Sequence, residues 1–205
     1  MDIETRTLPG KVELRQEGDA APVLVGTAIQ WDTWSVDLGG FKERFARGAV
    51  AWDKDFRVID QHDNTRVWGR MGAGTARLTI DDFGAHYEAD PPDTQWARDS
   101  MASIKRSDIY QNSFSFCVAE PVEQNQVWGL EPDGTTTRTV LRAHVYEMGP
   151  QTTPAYPTTS VALRSLDEAR KAGMVVGIAP AVSPDVLAEQ ARLAERIAAG
   201  FDAGA

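Results

Sequence analysis

Three side chains of this sequence have the types needed for acyl transfer at neutral pH: a histidine, a serine and a glutamate in separate segments. His62 lies in Ile59-Asp60-Gln61-His62-Asp63-Asn64, directly after a short apolar run and inside a polar turn. A turn of that kind can present an imidazole to a cleft, where it titrates near neutrality. The other two histidines, His86 and His144, occupy outward-alternating positions of candidate strands. No two histidines have short ligand spacing, there is no HExxH arrangement, and Cys117 is the single cysteine. Zinc needs three or four convergent ligands, so no metal site is expected. Gly72 and Gly74 belong to a turn with no helix pattern after it, unlike a phosphate-cradling loop, and no cofactor is expected.

The serine comes from Asn112-Ser113-Phe114-Ser115-Phe116-Cys117-Val118, which alternates strictly. Phe114, Phe116 and Val118 share one face of a strand, and Ser113, Ser115 and Cys117 share the other. An aromatic face in the core would hold the small nucleophilic groups rigidly. Alternation does not choose between Ser113 and Ser115. Cys117 is a third candidate, although a buried structural thiol is the commoner outcome. In Leu141–Met148 the same alternation puts Leu141, Ala143, Val145 and Glu147 on one face, and Arg142, His144 and Tyr146 on the other. Glu147 thus ends an inward row, where a carboxylate needs a partner such as a histidine N–H. If the two strands pair antiparallel through the Gly129–Gly134 loop, Ser113 and Glu147 come to the same end. His62 between them would complete a Ser–His–Glu relay.

The elements that must position these groups read as short β-branched or alternating runs between Val23 and about Val161. Strands are expected over Val23–Gln30, Phe56–Asp60, Thr75–Ile80, Ala85–Ala89, Ser113–Val118 and Thr137–Met148. Thr94 can cap a helix whose apolar side is Trp96, Met101 and Ile104, diluted by Ala97 and Ser100. A weaker helical pattern covers Phe41–Val50, with Gly48 inside it. After Arg164-Ser165 the composition shifts to Ala, Glu and Arg. Residues 1–165 therefore read as the main domain, and 166–205 as a linker and amphipathic helical tail. Ser183-Pro184 would start the tail helix, with Leu187, Ala191, Ala194 and Ile197 or Ala198 on its apolar side.

Composition bounds the function classes. At 205 residues, 42% hydrophobic and 25% charged, the chain fits one globular core with a short appendage. A net charge of −9 repels phosphate backbones, so nucleic acid is not an expected partner. The lone cysteine precludes an internal disulfide, and Met1–Arg6 carries charges where a signal peptide needs an apolar run. A reducing cytoplasm fits. Gly173–Val182, the longest weakly polar stretch, is about half the ~20 residues of a membrane span, so no membrane association is expected.

At several of these residues the sequence resembles the prohead (capsid-maturation) serine protease family of tailed phages, whose fold is similar to that of herpesvirus assemblin. The likeness is carried by Asp37-Leu38-Gly39-Gly40-Phe41-Lys42-Glu43, Arg47-Gly48-Ala49, Gln61-His62-Asp63 with Trp68-Gly69-Arg70, and Asp81-Asp82-Phe83-Gly84. It continues in Ser113-Phe114-Ser115-Phe116, Tyr146-Glu147-Met148, Thr153-Pro154-Ala155-Tyr156-Pro157 and Arg164-Ser165. The likeness covers roughly residues 4 to 165, its segments in the family's order, and the tail lies outside it.

The resemblance implies a mostly β fold with helices (α+β), an assemblin-like closed or partly closed β-barrel with surrounding helices, here followed by a C-terminal helical tail. It implies a serine endopeptidase with His62 as base, Ser113 as nucleophile and Glu147 as third member. Ser113 is chosen over Ser115 because the family serine precedes Phe-x-Phe. The herpesvirus relatives use a second histidine, which leaves His144 as the alternative third member. Implied substrates are the scaffold protein or the scaffolding segment of the major capsid protein, and often the protease itself. The implied place is inside the immature capsid in the host cytoplasm. A homodimer follows by analogy, and no cofactor is implied. This chain departs from the family pattern at Ser115, and at Gly149 and Gln151 after the glutamate. The alternative is a noncatalytic capsid-assembly or scaffold-binding module on the same fold.

Overall fold

The computed structural model describes residues 3–8, 11–152 and 160–175. In chain order its strands are β1 (Glu4–Leu8), β2 (Val12–Arg15), β3 (Val23–Gln30), β4 (Phe41–Phe45), β5 (Val50–Ala51), β6 (Arg57–Asp60) and β7 (Asp63–Arg70). There follow β8 (Ala76–Ile80), β9 (Gly84–Ala89), β10 (Gln111–Val118), β11 (Gln126–Leu130), β12 (Thr136–Val140) and β13 (Ala143–Gln151). Helix α1 (Gln95–Lys105) separates β9 from β10, and α2 (Ser160–Lys171) follows β13.

The strands form three sheets. The largest has the order β1-β10-β13-β6-β7, with the short β5 also paired to β13. A second sheet has the order β2-β3-β9-β8, and a third β11-β12-β4. The mostly β, α+β character is as expected, but among the described residues no sheet closes into a barrel. The reason lies in what alternation encodes. It reports one buried face per strand and not which strand lies alongside, so packed sheets and barrels share the pattern.

The core lies between the sheets and contains Phe45, Phe114 and Phe116, with Phe45 edge-on to the other two at 5.3 and 5.0 Å between ring centres. Such contacts add about 0.5–1.5 kcal/mol each to the burial of the rings. Phe41–Val50 is not helical. Phe41, Glu43 and Phe45 alternate into the interior as β4, in parallel register with β12. Gly48, at φ 73°, then takes the left-handed turn toward β5. Thr137–Met148 is broken into β12 and β13 at Leu141 and Arg142, whose N–H groups both donate to Asn125 O. Helix α1 is capped by Thr94 as expected, but it buries Ala97, Ser100 and Ile104. The small residues that dilute its apolar side are the ones that let it approach the sheet.

β1 carries charge inward. Glu4, Arg6, Glu43 and Arg138 are all buried, at most 4% of any of their side chains being exposed. Arg138 donates to Glu4 Oε1 and Oε2 at 2.9 Å, to Glu43 Oε2 at 2.7 Å and to Gln126 Oε1 at 2.8 Å. Arg6 donates from Nε to Glu43 Oε1 at 2.8 Å and from Nη2 to Glu4 Oε2 at 2.5 Å. Two guanidinium and two carboxylate groups cancel in charge and tie β1 to β4, β11 and β12. Burial pushes the Glu4 carboxyl up, but Arg138 and Arg6 outweigh it and hold the group down at about 2.

The position of the expected domain division, 165/166, falls inside α2. That helix packs Ala162, Leu166 and Ala169 on Leu38, Phe41 and Trp128. The helix expected after Ser183-Pro184 lies outside the described residues.

Replacing Arg138 by Met leaves buried carboxylates without their cation, and the expected loss of stability is about 3–5 kcal/mol, measured by urea denaturation. Because the folded value of Glu4 is depressed, its stabilising contribution is present above the ordinary 4.5 and is lost as pH falls through about 2. An Arg138→Met midpoint equal to wild type would refute this role.

Candidate active site

Three segments from different parts of the chain meet above β10 and β13. On β10, Phe114, Phe116 and Val118 enter the core, and Ser113, Ser115 and Cys117 take the opposite face. On β13 the core residues Val145 and Met148 are three positions apart. The β10–β13 register runs Ser113↔Gly149, Phe114↔Met148, Ser115↔Glu147 and then Phe116↔Val145, which leaves Tyr146 unmatched. This bulge turns both Tyr146 and Glu147 away from the core. Glu147 therefore does not continue the row of Ala143 and Val145; it shares the face of Ser113, with His144 and Tyr146. β10 and β13 are antiparallel neighbours as expected, but the 129–134 loop joins β11 to β12 in another sheet. That hairpin is inserted between them.

His62 is delivered by the β6–β7 hairpin. Asp60 pairs with Asp63, and the two residues between them, Gln61 and His62, have φ of 53° and 57°. A two-residue hairpin with both central residues left-handed matches the twist of its strands, at a cost of about 1–3 kcal/mol per strained non-glycine residue. Surrounding bonds offset that cost. The Gln61 N–H donates to Pro150 O at 3.1 Å, and the Thr152 N–H and hydroxyl donate to Gln61 Oε1 at 3.1 and 2.9 Å. Asp60 accepts from Ser100 Oγ at 3.0 Å and Trp68 Nε1 at 3.3 Å, which fastens the hairpin to α1. Burial pushes the Asp60 carboxyl up, and these two bonds partly offset it.

Gly149 permits the crossing. A Cβ there would stand 1.8 Å from Ile59 O, so β6 can lie this close to β13 only over a glycine. The departure from the family pattern noted at Gly149 is thus a packing feature of this chain.

The resulting contacts are short. His62 Nε2 is 2.7 Å from Ser113 Oγ, and His62 Nδ1 is 2.8 Å from Glu147 Oε1. Ser113 and Glu147 are buried, whereas a quarter of the His62 side chain remains exposed. Ser113 Oγ is also 2.8 Å from the Arg6 carbonyl of β1, to which it can donate. With Nδ1–H donating to Glu147, neutral His62 offers Nε2 as an acceptor, and the hydroxyl proton has two destinations. Once the ring is protonated, Nε2–H donates to Oγ, and the hydroxyl turns to Arg6 O. The arrangement can move a proton from a serine oxygen to an imidazole whose tautomer a carboxylate fixes.

The other candidates stand apart from the imidazole. Ser115 Oγ lies 3.2 Å from Thr5 Oγ1, and Cys117 Sγ 3.2 Å from Tyr146 Oη. The latter bond is the main cause that pushes the Tyr146 hydroxyl up to about 12. His144 Nε2 is 3.6 Å from Asp53 Oδ2, and its ring packs edge-on against Tyr146. His86 sits between Thr27 and Asp81. Among the described residues, no group of three His, Cys, Asp or Glu side chains is arranged to hold a metal. No helix among them is long and apolar enough to cross a membrane.

A family model described as Caudovirus prohead serine protease matches residues 10–172. The chain belongs to that family. No curated protein and no solved structure matches it. The prohead serine protease family acts by proteolysis in capsid maturation, and the matched span runs from just before β2 to just past α2. β1 precedes it, so the Arg6 carbonyl beside Ser113 lies before the matched residues. Sequence reading missed both that carbonyl and the Gln61–Thr152 clasp. Backbone acceptors leave no mark in a sequence, and the clasp joins residues 91 positions apart.

Gly149→Ala is expected to push β6 off β13 and lower stability by about 1–3 kcal/mol in chemical denaturation. An unchanged midpoint would show that the crossing tolerates a side chain.

Proposed function

We propose that this member of the prohead protease family is a serine endopeptidase in which Ser113 is the nucleophile, His62 the general base and Glu147 the third member of a triad. The observation that carries this reading is the pair of contacts on one ring, 2.7 Å from Nε2 to Ser113 Oγ and 2.8 Å from Nδ1 to Glu147 Oε1. In the first step Ser113 Oγ attacks the peptide carbonyl carbon as its proton passes to His62 Nε2. The imidazolium then protonates the leaving amine, and the C–N bond breaks to give an acyl-enzyme. Water, deprotonated by the same nitrogen, releases the new carboxyl end and restores the hydroxyl. Glu147 holds the Nδ1 proton in place throughout and balances the charge on the ring.

Within this reading the substrates are the scaffold protein or the scaffolding segment of the major capsid protein, cleaved inside the immature capsid in the host cytoplasm. The protease also cleaves itself. Self-association as a homodimer belongs to the same reading, through the likeness to herpesvirus assemblin. The protease domain runs through α2, whose apolar side is part of the fold, and the chain beyond is its tail.

Co-expression with the capsid and scaffold proteins, followed by mass measurement of the products, tests the assignment. Ser113→Ala is expected to abolish processing, and Glu147→Gln to slow it by roughly 10³–10⁴-fold. Processing that persists in Ser113→Ala would overturn the nucleophile. Intact proteins in both wild type and variant after assembly would favour the noncatalytic binding module.

A further inference from the structure

Arg57 and Glu147 are register partners in the parallel β6–β13 pair. The residues that follow them, Val58 and Met148, are also partners, and both enter the core. Arg57 and Glu147 therefore stand on the opposite face, the one that carries Ser113 and His62. From there the Arg57 side chain runs toward the His62 turn, where Nη1 donates to Asn64 Oδ1 at 3.3 Å. Glu147 reaches the same turn through Oε1, 2.8 Å from His62 Nδ1.

Each of the two side chains has one buried atom without a hydrogen-bond partner: Nε of Arg57 and Oε2 of Glu147. Buried polar groups are nearly always paired, and an unpaired one at a site asks for an explanation. Here the two orphans are complementary. One is a cationic N–H donor, the other an anionic acceptor, and they project from in-register positions of adjacent strands. Such charge-assisted bonds are the strongest available to side chains.

We propose that Arg57 is a positioning residue for Glu147, its Nε–H closing onto Oε2 when the site is engaged, so that the carboxylate stays aimed at His62. This inference rests on the triad reading above. Arg57 touches no reacting atom and acts through Glu147. A cation beside an imidazole opposes its protonation, so removal of the Arg57 charge is read in the pH dependence of the reaction. The other charged and titratable groups around the pair are Asp60, Asp63 and Arg66 of the hairpin, Arg70 opposite Arg57 on β7 and paired with Asp55, and Tyr87 of β9.

The test is the rate at which a fluorophosphonate labels the full-length protein as a function of pH. In that reaction the Ser113 oxygen displaces fluoride from phosphorus while its proton passes to His62. Arg57→Met is expected to move the acid limb of the profile up by roughly one pH unit. Arg57→Lys, which keeps the charge, is expected to leave it at the wild-type position. An unmoved limb in Arg57→Met, with labelling abolished by Ser113→Ala, overturns the role of Arg57 and leaves the triad standing. A limb displaced equally in the Met and Lys variants assigns the effect to packing and overturns the role as well. Labelling that survives Ser113→Ala removes the triad reading and this inference with it. A measurement on the unaltered protein covers the case of a variant that fails to fold. The Arg57 Nε–H nuclear magnetic resonance signal should move downfield when the site is phosphonylated, and a signal that stays in place overturns the proposal.

Discussion

The close crossing of β6 over β13 at Gly149 is the constraint on which the site depends. Backbone lies against backbone there, with no room for a Cβ between Ile59 O and the glycine. Only at that separation can the Gln61 N–H reach Pro150 O and the Gln61 amide reach Thr152. Those bonds hold two consecutive left-handed residues, and the second of them is His62. The imidazole is thus placed by main-chain geometry, and its two side-chain contacts complete what the crossing begins. Functional groups set by rigid backbone keep their distances within the narrow tolerance that proton transfer requires.

A second constraint acts from the other side of Ser113. β1 pairs along the outer edge of β10, with Thr7 opposite Ser113, and is fixed at its start by the buried cluster of Glu4, Arg6, Glu43 and Arg138. Buried ion pairs of this kind add little net stability compared with apolar packing, but they are exacting about geometry, because each removed partner leaves a buried charge. The cluster therefore fixes register. It determines which carbonyl of β1 lies beside the serine hydroxyl, and that carbonyl is Arg6 O at 2.8 Å.

Much of this was legible in the sequence, and what was not has physical causes. Strands with an aromatic or β-branched face, such as β3 and β10, announce themselves by alternation. β1 and β11 do not, because their inward positions include Glu4, Arg6 and Gln126, which are buried only by virtue of one another or of Arg138. Type and local pattern pointed to His62, Glu147 and the Ser113/Ser115 face, the family resemblance chose Ser113, and the structure brings the three side chains together. The route to Glu147 was different from the one expected. Strict alternation put it in the row of Val145, and the bulge at Tyr146 reversed that, since a one-residue slip moves every later side chain to the other face. Arg57 gave no signal at all, because an arginine on a short strand is ordinarily a solvated edge residue.

The span of chain that each contact bridges has its own consequence. His62 and Ser113 are 51 residues apart, His62 and Glu147 85, and Ser113 and the Arg6 carbonyl 107. The contact to Glu147 cannot form until β13 has left the ribosome, and structures built on such distant pairings fold slowly. β10, which carries Ser113, has one neighbour, β1, from well before it in the chain and the other, β13, from after it. The three side chains therefore come together only once β13 has been made, whichever of the earlier pairings forms first.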